Sequence, residues 1–165
     1  MDVVATSTTV AAVVATGLVA GLLLAFAVVV MPGLRALGDA DFLRAFQVVD
    51  GVIQRGSPVF ISVWAGSAVL PLLALGTRLL AGRGPDPLLL GVAAAVLLLG
   101  VHLPTVAVNV PANNRLQAVD VAGLDAASAA RTRAGFEPRW NRWNRVRTVA
   151  ATLALLLLAV SLRVG

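Results

Sequence analysis

The sequence predicts an all-α integral membrane protein, a bundle of four spanning helices with one amphipathic helix between the first two spans. Three observations carry this. Of 165 residues, 59% are hydrophobic and only 13% are charged, where a soluble domain is nearer half apolar and a quarter charged. Four nearly uncharged runs each reach the ~20 residues that a spanning helix needs. Between the first two runs lies a segment whose apolar residues recur at helical spacing.

The first span covers about 8–31 and closes on Pro32-Gly33. It lacks a basic leader, follows Asp2 and is too long for a signal sequence, so it is expected to be retained. Gly17 and Gly21 form a GxxxG, which would allow a close helix contact. Residues 39–54 place Phe42, Phe46, Val49 and Ile53 on one stripe, with Asp41, Arg44, Gln47 and Asp50 off it. This helix is expected to lie on the membrane surface or against the bundle, or to form a lid over a cavity. The second span covers about 57–80, the third about 87–110 and the fourth about 146–162. A polar loop is expected over 111–145, and the whole chain forms one membrane domain with no internal repeat.

Charge sets an expected orientation. All thirteen basic residues are arginine, and ten of them follow the first and third spans. The positive-inside rule then places both termini outside and both long loops in the cytoplasm of a cell membrane. Arginine without lysine, among so much alanine, valine and glycine, suggests a GC-rich bacterial genome. A net charge of +5 in such a chain reflects topology and lipid headgroups rather than nucleic acid.

Residue types also exclude chemistry. There is no cysteine and therefore no disulfide, thiolate nucleophile or cysteine-ligated cluster. His102 is the only histidine, which leaves no multi-histidine haem or copper site within one chain. No phosphate-binding glycine loop or HExxH occurs. Asp50, Asp120, Asp125 and Glu137 remain loose candidates as metal ligands beside His102.

Polar side chains in lipid are costly and usually face a bundle interior or a wet cavity. Two segments concentrate them. In "GVHLPTVAVNVPANNRL" (100–116), His102, Asn109 and Asn113 share a narrow helical stripe with Thr105 at its edge, although Pro104 and Pro111 warn of a kink or break. In "RWNRWNRVRT" (139–148), Trp140, Asn144 and Arg147 align with Trp143 beside them, while Arg139, Arg142 and Arg145 point away. The outward arginines suit lipid phosphates. The tryptophans could form an interfacial belt, and the histidine and asparagines could be interhelical contacts or caps. Their convergence makes a site.

The boxes "MPGL", "NVPANNRL" and "WNRWNRVRT", in this order and spacing, resemble a family of small four-span membrane proteins that includes anthrone oxygenases. The matching positions are Asn109, Pro111, Asn113, Asn114 and Leu116, then Trp140, Trp143, Asn144 and Arg147. The resemblance implies oxidation of a lipophilic aromatic anthrone by O2 as co-substrate, without an organic cofactor. On that reading His102 would be the base, Asn113, Asn144 and Arg147 would hold the oxyanion, and Asn109, Asn114, Trp140 and Trp143 would contact substrate. A metal held through His102 is the alternative cofactor. The partners expected are the bilayer, a lipophilic aromatic small molecule and, as an option, further copies of the chain. A non-catalytic protein binding a lipid, quinone or other amphiphile, or a structural subunit, are the alternative functions.

Overall fold

The computed structural model describes residues 2–164, which form helices and no strand. The chain runs through α1 (Val3–Ala25), a π-helical turn (Phe26–Val30) and α2 (Met31–Arg35) as one rod, followed by α3 (Asp39–Gln54) and α4 (Pro58–Ala81). The third rod is α5 (Pro87–Leu97), two π-helical turns (Leu98–His102 and Thr105–Asn109) and α6 (Val110–Gln117). A 3₁₀ turn (Val121–Gly123) leads to α7 (Ala126–Ser161). Four of these rods, Val3–Arg35, Pro58–Ala81, Pro87–Gln117 and Ala126–Ser161, are long and apolar enough to cross a membrane.

Side-chain caps fix the helix starts. Asp2, Ser57, Asp86 and Asp125 each accept a bond from a backbone N–H in the first turn that follows. At Asp125 the bonds from Ser128 hold the carboxyl below its ordinary range. Gly82 ends α4 with φ 67°, the left-handed C-terminal position that glycine fills without strain.

The π-turns have a common local cause. Pro32, Pro104 and Pro111 each follow such a turn by two residues. A proline inside a helix lacks an N–H and crowds the carbonyl four residues earlier. Those carbonyls belong to Val28, Gly100 and Ala107, the middle residue of each turn. Widening the turn accommodates the ring, so the third rod adapts where the sequence suggested a break. Pro71 and Pro138 lie within helices that stay regular.

Two cores result. The membrane core is built from small and aliphatic side chains, among them Ala12, Val19, Leu23, Ala93, Leu97, Ala151 and Leu158. Among its glycines the tightest position is Gly100, where a Cβ would come within 2.6 Å of the Ala150 Cβ. The GxxxG expectation is corrected here. Gly21 faces open space and Gly17 meets only the end of Leu155, because α1 packs at that level through other positions.

The second core caps one end of the bundle. Met31, Phe42, Leu43, Phe46, Leu116, Phe136 and Trp140 meet there. The stretch expected as a polar loop, 111–145, is therefore mostly helical. At 36 residues, α7 is about 54 Å long, well beyond a hydrocarbon core of about 30 Å. Its first half carries the cap. Arg133 ties α7 to the α2–α3 corner, donating to Glu137 (2.8 Å), Asp39 (3.1 Å) and the carbonyls of Leu37 and Arg35. Arg35 completes the cluster on Glu137 at 2.9 Å. Gln47 donates to the carbonyls of Leu116 and Val119, and Gln117 donates back to Gln47. These bonds hold α3 against α6.

Candidate functional site

Where the two cores meet, a cavity of about 280 Å³ opens between α1, α3, α4, the third rod and α7. One wall is Phe60 stacked on Trp64, with centroids 5.5 Å apart, from α4. Facing it are Phe26, Phe46 and Trp140, whose rings meet at 5.7 and 5.4 Å. The helix at 39–54 covers this end, contributing Phe46, Asp50 and Ile53 to the lining. Val106 and Val110 also line it and are 70% and 42% exposed on the outer face of a spanning rod. The cavity thus reaches the outer surface of the bundle beside them.

The polar groups fall into two clusters. In the first, Arg147 donates to Thr105 Oγ1 and to Asn144 Oδ1, both at 3.0 Å, and Asn144 Nδ2 donates to the Leu23 carbonyl at 3.0 Å. The guanidinium also lies 5.8 Å from the centre of the Trp140 ring. Arg147 is 5% exposed, and none of the ion pairs among the described residues includes it. Its Nε has no partner, nor does either amide atom of Asn109, which is 2% exposed and lines the same cavity. A buried cation without a counter-charge and an unsatisfied amide are both costly. Their position favours an occupant that supplies a negative or acceptor group.

The second cluster centres on Asp50, 5% exposed. Asn113 donates to its Oδ1 at 2.7 Å, while Gln54 and Gln117 donate to its Oδ2 at 2.6 and 2.9 Å. Asn113 in turn accepts from Trp140 Nε1 at 2.8 Å. Carboxylate, amide and indole form one chain along the cavity wall.

Of the residues singled out from sequence, Asn109, Asn113, Trp140, Asn144 and Arg147 line the cavity together. Arg139, Arg142 and Arg145 are exposed, as the helical wheel required. Trp143 is half-buried and Asn114 exposed, and neither is in the lining. His102 is also outside the lining. Its Nε2 is 3.3 Å from Ser67 Oγ, and its ring meets the edge of Trp64 at 5.4 Å. The π-turn that ends at His102 and the one that follows at Thr105–Asn109 change the residues per turn, so the stripe drawn at uniform helical spacing does not survive. Thr105, Asn109 and Asn113 share the cavity face instead.

Sequence reasoning missed the place of Asp50 at this cavity. It stood off the apolar stripe of its helix, a loose metal candidate only, yet it follows Phe46 by one turn and is buried beside it. The available signal was a carboxylate at the stripe's edge, facing a helix rich in amides. The other loose metal candidates are placed apart: Glu137 is held by two arginines, and Asp120 and Asp125 cap helices.

Fold and cavity define a class: a four-span membrane protein with a largely apolar, aromatic-walled cavity at one end of its bundle, beside a buried cation. The model of the anthrone oxygenase family matches residues 51–157, well over half of the chain. The chain belongs to that family. No curated protein and no solved structure matches it.

Proposed function

We propose that the protein is a membrane-embedded oxygenase that uses O2 to convert the ring methylene of a lipophilic, anthrone-like aromatic into a ketone. The observation that carries this reading is the pairing of an aromatic-walled cavity with an Arg147 Nε and an Asn109 amide that lack partners. Removing a proton from an anthrone methylene moves negative charge onto the opposite carbonyl oxygen. Arg147 and Asn109 are suited to hold that oxygen in a site shielded from water. Asn144 keeps the guanidinium in place, Asn113 acts through Asp50 and Trp140, and Trp64, Phe60 and Trp140 clamp the rings. A substrate dissolved in the bilayer would arrive past Val106 and Val110. Cytoplasmic placement of the capped end is part of the proposal, supported by the ten arginines after the first and third spans.

The test is oxygen uptake by the protein in nanodiscs supplied with anthrone, with and without a chelator. The expected result is stoichiometric conversion to anthraquinone above the protein-free rate, unchanged by the chelator. A chelator-sensitive rate would replace the cofactor-free reading with a metal-dependent one. Anthraquinone that quenches tryptophan fluorescence without any O2 uptake would instead make the protein a carrier of aromatic amphiphiles. The vacant Nε of Arg147 would serve that role as well.

A further inference from the structure

We propose that Asp50 is the group that takes the methylene proton, on its Oδ1. This inference rests on the oxygenase reading above and assigns the base within it. Among the residues lining the cavity, only Asp50 and Arg147 are ionisable. The guanidinium remains a cation and cannot accept a proton, which leaves the carboxylate.

Its hydrogen bonds point the same way. Each carboxylate oxygen offers about two acceptor sites. Oδ2 receives two donors, Gln54 and Gln117, and is filled. Oδ1 receives only Asn113 and keeps one site free. The donors are neutral amides, and none of the ion pairs among the described residues involves Asp50. The carboxylate is thus positioned without being neutralised by a neighbouring cation. Asn113 also fixes Trp140, so the basic oxygen and the aromatic wall are held in one register. His102, the expected base, is outside the lining and turned towards Ser67.

The chemistry balances. The C–H bond breaks, its proton goes to Asp50 Oδ1, and the electron pair spreads into the rings and onto the carbonyl oxygen beside Arg147. O2 accepts that pair in one-electron steps as a C–O bond forms, and the resulting peroxide takes the proton back from Asp50. Asp50 then removes the second methylene proton. The new C=O forms as the O–O bond breaks, and hydroxide leaves and gains that proton as water. A methylene and O2 become a ketone and water.

Proton removal can be read apart from oxidation. Under argon in deuterated buffer, the wild-type protein is expected to exchange the anthrone methylene hydrogens for deuterium faster than protein-free nanodiscs do. Asp50→Asn is expected to lose about 100-fold or more of that excess rate, while still binding anthraquinone by tryptophan quenching. His102→Ala is expected to retain most of the excess rate. Wild-type exchange in Asp50→Asn overturns the assignment, as does its loss in His102→Ala alone. If Asp50→Asn does not bind the quinone, Asp50→Glu is measured. Binding with restored exchange upholds the base, whereas failure to bind or to exchange makes Asp50 a structural residue. If the wild type oxidises anthrone and Asp50→Asn does so equally well, only this inference falls. If the wild type neither exchanges nor oxidises anthrone, the oxygenase reading itself falls.

Discussion

The two cores of this protein solve the same packing problem with opposite materials. In the membrane core, lipid tails are as apolar as the side chains, so burial itself provides little drive and close contact must do the work. The core accordingly uses alanine, valine, leucine and a glycine where two rods approach closely. In the cap, aromatic rings fill the space, while ion pairs and amide bonds to backbone carbonyls lock the helices together. The cavity lies at the seam. Small residues no longer bring the rods together there, and large rings do not yet fill the gap. A cavity is obtained at that level without breaking either core.

The largest expected effect is at the seam. Arg147→Met removes the cation while keeping most of the side-chain volume. Turnover should fall about 100-fold or more, the usual cost of losing an oxyanion donor. Stability should hold or rise, since a buried unpaired charge is costly. Oxygen uptake and thermal unfolding of the same preparation check both halves. A collapse in stability would make Arg147 part of the cap rather than of a site.

Next is the membrane core. Gly100→Ala should cost about 1–3 kcal/mol through overpacking against Ala150. Gly21→Ala, facing open space, should be neutral or slightly stabilising. Unfolding of the two variants side by side gives the contrast. Equal effects would mean that close packing is not confined to the third and fourth rods.

The smallest and most local effect is in the cap. Glu137→Gln weakens the bonds from Arg133 and Arg35 at the α2–α3 corner. A loss of about 1–3 kcal/mol is expected from these charge-assisted bonds. It should appear as faster hydrogen exchange over 39–54 with α1 and α4 still protected. Uniformly faster exchange would show that cap and bundle unfold as one unit.

Much of this architecture was legible from residue patterns. Four apolar runs and an amphipathic segment indicated the four long apolar helices and α3, because hydrophobicity and helical period are local properties, although the fourth rod begins at Ala126, well ahead of its apolar run. The two faces of 139–148 were legible for the same reason, since α7 is regular there and the wheel holds. The same wheel misled over 100–116. Prolines widen two turns of that rod, and a uniform angle per residue carried His102 onto a face it does not occupy. The polar stretch 111–145 read as a loop because its helices are stabilised by contacts with distant segments, not by a spanning apolar run.

The sequence by itself determined the apolar character, the four helices of spanning length, the helical class and the inward set Trp140, Asn144 and Arg147. These follow from transfer free energies and a repeat of 3.6 residues, which each segment carries alone. Tertiary structure decided that Asn109 and Arg147 would be buried with unfilled hydrogen-bonding capacity, that His102 would turn towards Ser67, and that Asp50 would be buried on the cavity wall. Each of these depends on which helix lies opposite, and partners 35 to 67 residues away in sequence leave no periodic trace.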